Sequence, residues 1–135
     1  MAFIQWDDSF SVNVREIDQQ HQKLVGMLND FEERLRQDPN QAFQALLDSL
    51  VEYTQYHFST EEKYFEKFSY SDARAHIEEH RKFVEKVLDV RSSFIKHGKL
   101  ILFFEITSFL KDWLTTHIKG SDKAYAKCFN DNGLF

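Results

Sequence analysis

Side chains of the kinds that ligate metals recur at helical spacing in this chain, on stripes that are otherwise apolar. His57 and Glu61 are four residues apart, as are His76 and His80. His117 and Asp122 are five apart, and His21 stands alone upstream. Residues four apart lie one above the other on a single helix face. The apolar neighbours on each stripe demand burial, yet an unpartnered imidazole or carboxylate is costly to take out of water. The chain is therefore constrained to helices that turn these seven side chains toward one place, where a metal site would remove that cost.

Residues 1 to about 17 read as an arm. Phe10, Val12 and Val14 alternate with polar residues, but no partner strand follows. Asp18 is the expected N-cap of a first helix over about 19–37, with His21, Leu24, Val25, Leu28, Phe31 and Leu35 on one stripe. Asp38-Pro39-Asn40 ends it, because proline disfavours a helical residue before it. Asn40 is the expected cap of a second helix running to about Lys67, with Phe43, Leu47, Leu50, Thr54, His57, Glu61, Phe65 and Phe68 inward. A turn over Ser69–Asp72 leads to a third helix, about 72–96. It turns Ala73, His76, Ile77, His80, Phe83, Val84, Val87, Phe94 and Ile95 inward and stops at His97-Gly98. The fourth, about 100–118, presents Leu100, Phe103, Thr107, Leu110, Leu114, His117 and Ile118. Four amphipathic helices on short connections predict an all-α, antiparallel up-down-up-down four-helix bundle with an extended N-terminal arm. One domain is expected over 1–135, divided into the arm (1–17) and the bundle with its C-terminal segment (18–129).

Composition agrees with that architecture and excludes several functions. One proline and four glycines supply little material for turns, so the helices must be long, and fourteen phenylalanines predict a dry interior. A chain of 135 residues buries a sizeable core without disulfides. Cys128 is the only cysteine, which fits a reducing compartment. The first eight residues lack the basic and apolar regions of a secretory signal, and the apolar run Leu100–Phe104 is far too short to span a membrane. A cytoplasmic protein is expected. The net charge of −5 argues against nucleic-acid binding, which requires a basic face.

Five imidazoles and two carboxylates exceed what one ordinary ion takes and suit two. If both carboxylates bridge two six-coordinate ions that also share a single-atom bridge, one coordination position stays vacant. A vacancy is what separates a reactive site from a closed structural one. His97, at a helix end beside Gly98, suits the helix dipole and is left out of the set. The interval from His117 to Asp122 resists a regular helix, since five residues turn the two roughly 140° apart. A π-type turn or a helix break is expected at 118–122, where Gly120 lies.

In this order, His21, His57-x-x-x-Glu61, His76-x-x-x-His80 and His117-x-x-x-x-Asp122 resemble the hemerythrin family in its single-domain bacterial form. Trp6-Asp7, Val12, Val14 and Ile17-Asp18-Gln19-Gln20-His21 resemble that family's arm and first-helix entry. The resemblance implies an oxo- or hydroxo-bridged pair of iron ions that binds O2 reversibly. His76, His80 and His117 would hold one iron. His21 and His57 would hold the other, which keeps the vacancy, and Glu61 and Asp122 would bridge both. Leu24, Phe58, Trp113, Leu114 and Ile118 match apolar positions of the family's O2 pocket, and Tyr125 matches a position near the site; all six also read as plain core. The implied role is carriage, storage or delivery of O2 by a monomeric, non-enzymatic protein, passing O2 to an unidentified acceptor protein.

Other readings remain open on the sequence. One is a di-iron enzyme reactive toward O2, nitric oxide or peroxide, and another is an O2 sensor acting through a separate partner. Ferritin-like di-iron oxidases use Glu-x-x-His pairs, and no histidine here has a glutamate three residues before it. A zinc hydrolase lacks support, because His-Glu-x-x-His is absent and no nucleophile stands out. A helical module with no metal is the plainest alternative.

Overall fold

A computed structural model of the chain describes residues 4–97 and 101–135, the side chains of 97 and 101–104 excepted. The expected stop at His97-Gly98 and the inward placing of Leu100 and Phe103 lie outside the described residues. Four helices follow the arm: α1 (Arg15–Arg34), α2 (Pro39–Lys67), α3 (Ala73–His97) and α4 (Ile101–Thr116). The last continues through a π-helical segment, His117–Asp122, into α5 (Lys123–Asp131). No strand occurs among the described residues.

Two caps differ from expectation. Asp38, not Asn40, caps α2; its carboxylate accepts from the Gln41 N–H at 3.2 Å, and Pro39 fills the first turn, where a missing N–H costs nothing. Asp18 is not a cap at all. The first helix starts at Arg15, one turn earlier, and Asp18 accepts instead from the Val12 N–H at 2.8 Å and the Ser11 hydroxyl at 2.6 Å. It ties the arm to the helix. Farther back, the arm makes a 3-10 turn at Asp8–Phe10, and the Ile4 N–H and C=O both bond to the Asn29 side chain at 2.9 Å. At the α2–α3 turn, Ser69 takes a left-handed φ of 52°, and the Tyr70 N–H reaches back to the Phe65 carbonyl at 3.0 Å. That bond closes a Schellman-type end without glycine.

The direction of each helix can be read from what it buries. Buried apolar side chains form a large cluster that includes Leu24, Leu50, Phe58, Phe83, Leu114 and Ile118, and a small one of Val12, Val14, Ile17, Phe65, Tyr125 and Phe129. The seven histidine and carboxylate side chains lie between them. Along α1 the chain passes from Ile17 of the small cluster, through His21, to Leu24 of the large one. Along α2 it returns through His57 and Glu61 to Phe65, and α3 goes up again from Ala73 through His76 and His80 to Phe83. The fourth helix comes down from Leu114 through His117 and Asp122 to Tyr125. That alternation is the up-down-up-down bundle. Ile77 and Ile95, expected inward, are 39% and 68% exposed. Each is one residue off the seam His76, His80, Phe83, Val87, Val90, Phe94, and so turned about 100° from it.

The fourth helix takes up the five-residue interval without breaking. Its π segment spans His117 to Asp122, and both end residues are buried. Gly120 is not what makes this possible: a Cβ there would meet nothing within 4 Å. Gly120→Ala is accordingly expected to keep the fold and to stabilise it by up to about 1 kcal/mol through helix propensity, measured by urea unfolding. Asp18→Ala, which strands two donors of the arm, is expected to cost about 1.5–3 kcal/mol in the same measurement.

Candidate metal centre

All seven expected ligands are buried and converge. Glu61 and Asp122 have no exposed surface, and the five histidines are between 0% and 4% exposed. Asp122 receives three imidazoles: the Nε2 atoms of His21 and His76 at 2.9 Å and that of His117 at 3.0 Å. Glu61 receives two, the Nε2 atoms of His57 and His80, both 3.2 Å from Oε1. The ligand atoms form two overlapping groups, each with all its atoms within 4.8 Å of one another. One contains His76, His80 and His117 with both carboxylates; the other contains His21 and His57 with the same two carboxylates.

These contacts are close, but they are not hydrogen bonds. The Nε2 atoms of His21, His76, His80 and His117, Glu61 Oε1 and both Asp122 oxygens are buried with no hydrogen-bond partner. Buried polar atoms in native proteins are nearly always satisfied, so this many orphans in one place fit a site built for cations, and the nitrogen and carboxylate donors suit iron among others.

The rings are held in place from behind and from the side. Phe58 stacks on His80 at 3.8 Å between centroids, and Trp113 stacks on His117 at 4.2 Å. Phe65 leans on His76 at 4.8 Å. Leu24, Phe58, Leu114 and Ile118 belong to the large cluster, with Trp113 packed against it. Tyr125, grouped with these five in the sequence analysis, stands apart from them. It lies in the small cluster, across the ligand layer, and its hydroxyl donates to Glu61 Oε2. Two contributors were not found from the sequence: Gln20 Oε1 is 2.6 Å from His57 Nδ1 and Glu62 Oε2 is 3.0 Å from His80 Nδ1. Glu79 Oε2, 3.7 Å from His117 Nδ1, leaves that nitrogen without a hydrogen bond. Adjacency to the ligands His21 and Glu61 was a signal for Gln20 and Glu62, and Gln20 also lies in the stretch that resembles the family's first-helix entry.

Electrostatics follow from this crowding. Burial and the neighbouring Asp122 push the Glu61 carboxyl up, but the imidazoles of His57 and His80 outweigh them and hold it well below the usual range. Burial likewise opposes ionisation of Asp122, and His117, His21 and His76 hold it low. Burial disfavours the charge on His80, yet the Glu61 carboxylate close to its Nε2 and the hydrogen bond to Glu62 lift it to about 9. Burial and then the two carboxylates push the Tyr125 phenol up, so it remains a donor. Ligation requires neutral imidazoles. Metal uptake at pH 7.5 is therefore expected to release about one proton from His80. Calorimetric titration in buffers of different ionisation heat measures this, and the release should fade as the pH is raised past about 9.

The hemerythrin HHE cation binding domain model matches residues 12–129. A bacteriohemerythrin of Stenotrophomonas maltophilia is 34% identical over 126 residues, 93% of this chain and 81% of that protein. A hemerythrin-like protein of Naegleria gruberi is 37% identical over 120 residues, covering 89% of this chain and 88% of its own. A crystal structure of wild-type hemerythrin superposes with a TM-score of 0.85 at 31% identity, over 94% of this chain and 98% of that one. The alternating bundle, the buried ligand layer and these similarities agree: the chain belongs to the hemerythrin family.

Proposed function

We propose that this protein binds O2 reversibly at a pair of iron ions and serves O2 carriage, storage or delivery in the cytoplasm. The observation that carries the reading is the unequal division of one buried ligand set. His76, His80 and His117 would hold one ion and His21 and His57 the other, with Glu61 and Asp122 shared. Five protein donors on one side and four on the other leave the second position the more open. A pair of ferrous ions held by these seven residues would supply the two electrons that O2 takes up on binding and returns on release.

The protein's own side chains account for reversibility. Leu24, Phe58, Trp113, Leu114 and Ile118 put apolar surface beside the ligands and keep water and its protons away. Dry surroundings also strengthen the pull between the carboxylates and the cations they hold. Tyr125 donates to Glu61 Oε2 and fixes the orientation of that shared carboxylate. The histidine-rich set favours holding O2 over activating it for attack on a substrate, so the role is binding rather than catalysis.

An optical spectrum tests this. The iron-loaded protein, reduced without oxygen, is expected to be colourless, to gain a charge-transfer band in air and to lose it on purging, over repeated cycles. A band that forms once and never returns would overturn reversible binding in favour of an enzyme acting on O2, nitric oxide or peroxide. His57→Ala and His80→Ala are each expected to weaken iron retention by about 10-fold or more, read as iron per chain after dialysis.

A further inference from the structure

One histidine in each metal group is backed by an acceptor, and the two acceptors differ in kind. Behind His80 stands Glu62, a carboxylate, which accepts from Nδ1–H and admits no other arrangement. Behind His57 stands Gln20, whose side-chain amide has a donor end and an acceptor end. An amide turned the wrong way would place an NH2 group against His57 Nδ1. That would force the ring's proton onto Nε2, the nitrogen that faces Glu61.

Thr60 removes the ambiguity. It sits on the same helix as His57 and Glu61, and its hydroxyl donates to the Tyr56 carbonyl at 3.1 Å, the usual bond one turn back. With its proton spent there, the hydroxyl oxygen accepts. The Gln20 Nε2 donates to it across 3.4 Å, a long contact and the weakest link. Gln20 Oε1 is thereby turned to His57, whose Nδ1 carries the proton at 2.6 Å. The chain of donors runs one way, from His57 on α2 to Gln20 on α1, and from Gln20 back to Thr60 and the Tyr56 carbonyl on α2.

We propose that Thr60 is a positioning residue of the metal centre: through Gln20 it fixes the His57 tautomer and keeps Nε2 bare for the four-ligand position. This rests on the reading of His57 as a ligand. His80, in the five-ligand group, needs no such device, because the Glu62 carboxylate accepts in any orientation. Outer groups that orient ligating histidines change metal affinity by about 10–100-fold when removed, and Thr60, one link further out, acts at the lower end.

The test uses the full-length protein loaded with zinc, a probe independent of O2 chemistry, with 15N-labelled histidine. In the unaltered protein the His57 Nδ1–H signal is expected to be single and protected from exchange. Thr60→Val keeps the shape and removes the acceptor. It is expected to weaken the weaker of the two zinc equivalents by several-fold up to about 10-fold, leave the tighter one unchanged, and broaden or split the His57 signal without moving that of His80. Thr60→Ser is expected to restore both readouts. Thr60→Val with an unaltered His57 signal and unaltered zinc binding would overturn the proposal, as would equal weakening of both equivalents, which is a structural effect. Two zinc ions bound as described in a protein that fails to cycle O2 would sink the functional reading and leave this one standing.

Discussion

Two carboxylates with no exposed surface, set a few ångströms apart, are the constraint on which the rest depends. Left alone they would repel and each would lose its water, at a cost beyond the margin by which a domain of this size is stable. Five imidazoles close around them, but four of the five Nε2 atoms, Glu61 Oε1 and both Asp122 oxygens find no hydrogen-bond partner. Cations held between them would satisfy these atoms. The bundle's interior is thus two apolar cores separated by a polar layer, and metal bound in that layer would link all four helices at one level. Removing any one ligand leaves its neighbours buried and unpaired, so single losses should cost more than their share.

Much of this layer was legible in the sequence because it obeys helical arithmetic. His57 with Glu61 and His76 with His80 lie on apolar stripes at a spacing of four, which fixes both the element and the face. The five-residue interval from His117 to Asp122 was the informative irregularity. It required the helix to widen, and the π segment does so at those residues. Gly120 explained less than expected, since the geometry comes from bringing two ligands to one face and not from a flexible residue.

What was not legible depends on tertiary partners that carry no spacing rule. Asp18 and Asn40 both looked like caps; the donors that Asp18 meets belong to a folded-back arm, and Asp38 was already in place before the proline. Ile77 and Ile95 sit beside the buried seam of α3, close enough in phase to be counted with it. Gln20, Thr60 and Glu62 are common surface residue types next to ligands, and only the distances to His57 and His80 reveal them. Tyr125, matched only to a position near the site, lies one turn into α5, past the ligand layer in the small cluster, with its hydroxyl on Glu61.

Two metal positions that share their carboxylates and differ in their imidazoles are what this ligand set calls for. Mössbauer spectroscopy of protein loaded with 57Fe and oxidised tests it most directly. Two irons per chain in two distinct environments of equal weight, magnetically coupled through their shared ligands, is the result predicted. One iron per chain, or two uncoupled irons, would contradict it.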